Sequence, residues 1–344
     1  MEESSTWKSV FLCAAGALAL LVLADVLLAR VAPTQPLREL RDGISDFRAG
    51  DPEILVLGSS HGRTFHVLGQ ELSRRRGAPG LLVSIPLENG KLVPYEWVLK
   101  NRLLPLITAT GTNGERMRGN LRRLILITEW WDSCSFTGPG RPYWNLPGRA
   151  WAFEHYVNDV IDRGVDSYNK NYLDHLYRRL FRRSVLVQSR GTSRIASSVE
   201  RMIAGQATLR TPEEEASYLA AWRKMVEAGE ECIGAPEQIV ALRRILTTSL
   251  SLGLDTTVVL FPRKPATITA TAAAGTIEQF HHLASGVATE MGVRFIDLTL
   301  GTPLDDSDFM DDYDHVNAKG NRKFAEWALD NDLSFLLEPP ANTP

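Results

Sequence analysis

The stretch Ile54-Leu55-Val56-Leu57-Gly58-Ser59-Ser60-His61-Gly62 decides how the fold is read. Its apolar run is too short for a helix and lacks polar alternation, so it describes a strand buried on both faces that ends in a glycine-serine turn. Similar runs follow at Leu81–Ile85, Leu124–Thr128, Thr257–Phe261 and Val293–Leu298. Helical patterns lie between them. One opens at Pro236, carries Ile239, Leu242, Leu246 and Leu250 on one face, and closes at Gly253. Another spaces Ile277, Phe280, Ala284, Val287 and Met291 along one face and stops at Gly292. Strands alternating with helices predict an α/β chain with a five-stranded, parallel, doubly wound sheet.

The alternation breaks once. From about 136 to 234 there is no strand run beyond Val185-Leu186-Val187, and the segment is rich in Trp, Tyr and Arg. It reads as a helical insertion after the third strand that caps the sheet. Within it Leu173, Leu176, Leu180 and Phe181 form one helix face, ringed by Arg178, Arg179, Arg182 and Arg183. That basic face is either solvated or set against anionic lipid or polymer.

Residues Ser9 to Ala29 are apolar apart from Asp25 and the small Ser9, about the length that crosses a bilayer as a helix. They read as a retained N-terminal membrane anchor over 1–31, followed by a Pro-containing linker over 32–50, a main domain over 51–335 and a tail over 336–344. Lys8 precedes the span while Arg30, Arg38 and Arg41 follow it, which by the positive-inside rule places the body on the cytoplasmic side. Cys134 and Cys232 either pair in an oxidising compartment or stay reduced and buried. The net charge of -3 offers no field for nucleic acid. No His, Cys and carboxylate cluster has metal spacing, and no cofactor is expected.

Some 250 residues beyond Ser60 comes Asp312-Tyr313-Asp314-His315, just ahead of a helix. A serine hydroxyl is a poor nucleophile near neutral pH. It needs an imidazole to take its proton and a carboxylate to orient that imidazole. The Gly-x-Ser-x-Gly spacing also fits the elbow of α/β-hydrolases, but such an elbow follows several strands, and here the serine follows the first. His61 either packs at the turn or donates to substrate. Arg63 either forms a surface ion pair or binds substrate. Trp130, Trp131, Trp144 and Trp151 either stack on sugar rings or form an ordinary core. His281 and His282 lie off the apolar face of their helix and are expected in solvent.

The serine turn and the Asp-x-x-His together resemble the SGNH (GDSL-like) hydrolase family, over roughly residues 50 to 135 and 240 to 332. The resemblance implies a flavodoxin-like sheet, Ser60 as nucleophile, His315 as base and Asp312 as orienting acid. It also implies an oxyanion hole formed by the Ser60 and Gly90 amides. The family's third-strand Asn is missing, since the strand ends Thr128-Glu129-Trp130-Trp131-Asp132. With the anchor, that absence resembles the membrane-bound branch containing polysaccharide O-acetyltransferases and the teichoic-acid D-alanylation protein. The implied function is a serine esterase or O-acyltransferase acting on acyl esters, in the first place acetyl, of envelope or extracellular polysaccharide. Its partners would be the glycan substrate, the membrane and a membrane acyl-donor protein, with the catalytic body outside the cytoplasm. The alternative is a non-catalytic binding or assembly protein that keeps the fold.

Overall fold

The computed structural model describes residues 35–87, 90–109, 119–134, 212–229, 233–272, 275–310 and 315–338, with Leu12, Cys13, Gly16, Ala17 and Leu20 near the start. The chain divides into two compact units, Met1–Arg38 with Gly148–Gln206, and Glu39–Pro147 with Ala207–Pro344. In the first, the described residues near the start are helical, and Leu12 and Leu20 are exposed. The expected span Ser9 to Ala29 lies largely outside the described residues, among which no helix is long and apolar enough to cross a membrane. The expected strand at 185–187 and the arginine-ringed helix also fall outside them.

The second unit holds one sheet of five parallel strands: β1 (Ile54–Ser59), β2 (Leu82–Leu87), β3 (Arg123–Thr128), β4 (Asp255–Leu260) and β5 (Arg294–Asp297), in the order β2-β1-β3-β4-β5. All five runs expected as strands are strands. Along β1 and β3 the side chains alternate between two buried faces, whereas β5 at the sheet's edge is only partly covered. Ile54, Val56, Ile125, Ile127 and Val259 share one core with Phe65, Leu68, Phe324 and Ala328. Leu260, of the opposite parity, packs with Phe280 and Ala284. Helices therefore cover both faces, which is why the strands lack the polar alternation of a half-exposed sheet.

Among the described residues the α-helices that follow are, in chain order, α1 (Gln35–Ala49), α2 (Gly62–Arg76), α3 (Leu92–Val98), α4 (Pro212–Gly229), α5 (Pro236–Ser251), α6 (Pro265–Thr271), α7 (Thr276–Glu290) and α8 (Ala318–Asp330). A π-helical turn, Leu99–Leu103, carries α3 into a short helical turn at Leu104–Ile107. Two stops agree with the sequence: α5 and α7 are followed by Gly253 and Gly292 at φ of 74° and 66°. The stretch expected as a linker is different, because α1 occupies most of it. Leu40, Gly43 and Phe47 are buried at helical spacing. A Cβ on Gly43 would lie 3.1 Å from Ile85 Cγ1, so the missing side chain lets the helix approach β2 closely.

The strand order reverses direction between β1 and β3. Ligands of open parallel sheets bind in the crevice at the carboxyl ends of strands at such a switch point. Gly58 sits just before that point. A Cβ there would come within 2.7 Å of both Cβ and the carbonyl oxygen of Ile127. Gly58→Ala is expected to lower stability by about 1–3 kcal/mol through forced separation of β1 and β3. Denaturant melts check this, and an unchanged midpoint would contradict the close approach.

Candidate active site

Ser60 occupies the turn between β1 and α2, with its carbonyl accepting from Arg63 N–H at 3.0 Å. Strand β1 thus delivers the serine to the switch point, and the positive end of the 15-residue α2 faces it. The other half of the site comes from the far end of the chain. His315 Nε2 lies 2.6 Å from Ser60 Oγ. With Nε2 unprotonated, the hydroxyl donates to it, and the ring proton then sits on Nδ1. Ser60 is only 5% exposed.

A clamp built just before α8 fixes His315. Phe309 and Val316 form an antiparallel bridge, and Met310 N–H donates to the His315 carbonyl at 2.7 Å. Asn317 caps α8, its Oδ1 accepting from the Lys319 and Gly320 amides at 3.0 Å while its Nδ2 donates to the Ser307 and Phe309 carbonyls. Gly320 is required by packing, since a Cβ there would approach the Asp308 carbonyl to 2.3 Å. Beneath the clamp, Lys323 Nζ donates to Asp308 at 2.7 Å and Asp305 at 3.3 Å, and Lys319 reaches Asp308 at 3.0 Å. Asp312, the expected acid, lies outside the described residues.

Behind the serine stands a buried polar cluster drawn from three strand ends. The His61 ring stacks on the Phe261 ring at 4.4 Å and on the His315 ring at 5.2 Å, about 25° from parallel to each. His61 Nδ1 is 2.8 Å from Ser59 Oγ and 3.4 Å from Glu129 Oε1. The other Glu129 oxygen pairs with Arg263, which follows β4. Asp132 closes the turn after β3 by accepting the Glu129 amide at 3.1 Å. Burial first, then the neighbouring Glu129 charge, raises the Asp132 carboxyl well above its usual range. Tyr95, fully buried on α3, has its phenol pushed up by burial and then by Asp132.

Other expected residues play plainer parts. Arg63 forms a two-pronged pair with Glu39 of α1, at 2.9 and 2.8 Å. Trp130 is buried in the cluster around Phe280, with Trp131 packed against that cluster and the Lys91 ammonium 4.5 Å from the centre of a Trp131 ring. The Gly90 amide, expected at the oxyanion, donates instead to the Leu87 carbonyl at 2.7 Å. Glycine is needed there because a Cβ would meet Tyr95 Cε1 at 2.4 Å. Trp144 and Trp151 lie outside the described residues. His282 is exposed as expected, whereas His281 Nδ1 lies 2.6 Å from Asp297. Cys134 is disulfide-bonded, and Cys13 is free. Among the described residues no group of His, Cys, Asp and Glu could hold a metal.

Sequence reasoning missed Glu129 and Arg263 as parts of this site. The only available signal was the charge of each just beyond a buried strand. No protein-family model matches the chain, and no curated protein matches it in sequence.

Two tests follow for the clamp. Asn317→Ala, which removes the cap and both carbonyl contacts, is expected to cost about 1–2 kcal/mol, read by thermal melting. The second concerns acid. Hydrogen bonds from the Ser307 hydroxyl and amide, with Lys323, hold Asp305 down at about 2. Burial pushes Asp308 up, but hydrogen bonds from Lys323, the Asp305 amide and Lys319 outweigh it and leave it lowered. Carboxyls depressed by folding stabilise fully above their unfolded value, here 3.8, and lose that contribution as pH falls through the folded one. Exchange protection of the Met310 amide should therefore hold above about pH 4 and fall toward about pH 2.

Proposed function

We propose that the chain is a serine acyl-ester enzyme of SGNH type, with Ser60 as nucleophile and His315 as general base. The observation that carries this is the 2.6 Å contact between Ser60 Oγ and His315 Nε2, placed at the carboxyl edge of β1 beside the sheet's switch point. As Oγ attacks an acyl carbonyl, its proton passes to Nε2 and the carbonyl oxygen becomes an oxyanion. Collapse expels the alcohol, which takes the proton back from His315, and leaves an acyl group on Ser60. The acyl group then passes to water or to a sugar hydroxyl, with His315 again removing the acceptor's proton.

In this reading Asp312 accepts from His315 Nδ1–H and supports the imidazolium. Oxyanion stabilisation comes from the Ser60 turn and the α2 N-terminus, where amides and the helix dipole favour negative charge. The Gly90 amide joins only if the turn that binds it to Leu87 opens. The sheet order supports the flavodoxin-like arrangement of the SGNH family.

The substrate class we propose is an acyl ester, acetyl in the first place, of cell-envelope or extracellular polysaccharide. A single N-terminal span would anchor the enzyme, and a membrane acyl-donor protein would serve a transferase. The disulfide at Cys134 supports a catalytic body outside the cytoplasm, since such bonds persist in oxidising compartments. It weighs against the inward orientation drawn from Arg30, Arg38 and Arg41.

A fluorophosphonate probe tests the enzyme reading. The wild type is expected to label on Ser60, with labelling abolished in Ser60→Ala and reduced by at least about 10³-fold in His315→Ala. Equal labelling of wild type and Ser60→Ala would leave the chain a non-catalytic binding or assembly protein.

A further inference from the structure

His61 is buried directly against the proposed base, yet the acyl-transfer steps do not use it. Its ring stacks on those of both Phe261 and His315, within 26° of parallel to each. Ring contacts at these separations restrict how far His315 can tilt away from Ser60. His61 is itself held in its plane, because Nδ1 faces Ser59 Oγ and Glu129 Oε1 together. With the ring proton on Nδ1, it donates to Ser59 Oγ, with Glu129 Oε1 close by.

Charged groups of both signs surround this ring. Glu129 Oε1 lies 3.4 Å from His61 Nδ1, while its other oxygen pairs with Arg263. Burial and the Glu129 charge raise the Asp132 carboxyl, and Lys91 donates to the Cys134 carbonyl at 2.9 Å.

We propose that His61 is a positioning residue: its ring, oriented by Glu129 and Arg263, holds the His315 imidazole by stacking so that Nε2 stays on Ser60 Oγ. The inference rests on the acyl-transfer reading of Ser60 and His315. The Glu129–Arg263 pair thus stands at the carboxyl ends of β3 and β4 as support for the base.

Two substitutions separate stacking from hydrogen bonding. His61→Phe keeps a flat ring against Phe261 and His315 and loses Nδ1. His61→Gln keeps a donor and loses the ring. The readout is the rate of fluorophosphonate labelling at Ser60, with circular dichroism and thermal melting confirming that each variant is folded. Positioning by stacking predicts that His61→Gln labels about 10²-fold more slowly, the scale of a misplacement of about 1 Å, while His61→Phe recovers most of the rate. Recovery by Gln and not by Phe would overturn the proposal in favour of a direct hydrogen-bonding role. Wild-type rates in both, or equal losses in both while folded, would overturn it as well. Failure of the wild type itself to label would instead remove the acyl-transfer reading, so the two failures are distinguishable.

Discussion

The hydrogen bond between Ser60 and His315 joins residues 255 positions apart, one at the end of the first strand and one just before the last long helix. Neither residue can find the other by local structure. The sheet must place β1 at its switch point, α2 and α8 must pack on the same face, and the Phe309–Val316 bridge must hold the loop at the right height. Phe65 of α2 and Phe324 of α8, with ring centres 6.0 Å apart, sit in the core beneath this contact. Packing there and geometry at the site are the same problem.

A second constraint comes from burial. The cluster behind the serine contains Glu129, Asp132, Arg263, Lys91, His61 and Tyr95, all largely removed from water. Ionised groups survive such burial only in pairs or with good hydrogen bonds, and breaking one partner typically costs several kcal/mol. Here Glu129 pairs with Arg263 while Asp132 has its carboxyl driven upward. A cluster held this way ties the ends of β1, β3 and β4 together around Ser60. The turn that carries Glu129 also ends at Cys134, whose disulfide adds a covalent constraint to the same segment.

The central strands were legible because burial on both faces leaves continuous apolar runs, and Ser60 was legible because its glycine-flanked turn follows the first of them. The helix ends at Gly253 and Gly292 were legible from residues that tolerate positive φ. Helix α1 was hidden by the prolines at its start and by the charges of Arg38, Arg41 and Asp42, which mask the spacing of Leu40, Gly43 and Phe47. Gly90 drew notice as a glycine after the second strand, and the close approach of the Tyr95 ring, which leaves no room for a Cβ, was not readable from its position. Glu129 registered only as an absent Asn. Its partners His61 and Arg263 come from other strand ends, and no local pattern links residues so far apart. Trp130 showed its size but not its direction, and its burial in the core follows from packing alone.

The central claim is that Ser60 becomes covalently acylated with His315 as its base. Peptide mass mapping after brief exposure to a chromogenic acetyl ester tests it most directly. The account predicts one acetyl group on the peptide containing Ser60, appearing with a stoichiometric burst of released alcohol and absent in His315→Ala. Acetyl on another residue, or ester hydrolysis undiminished in Ser60→Ala, would contradict it.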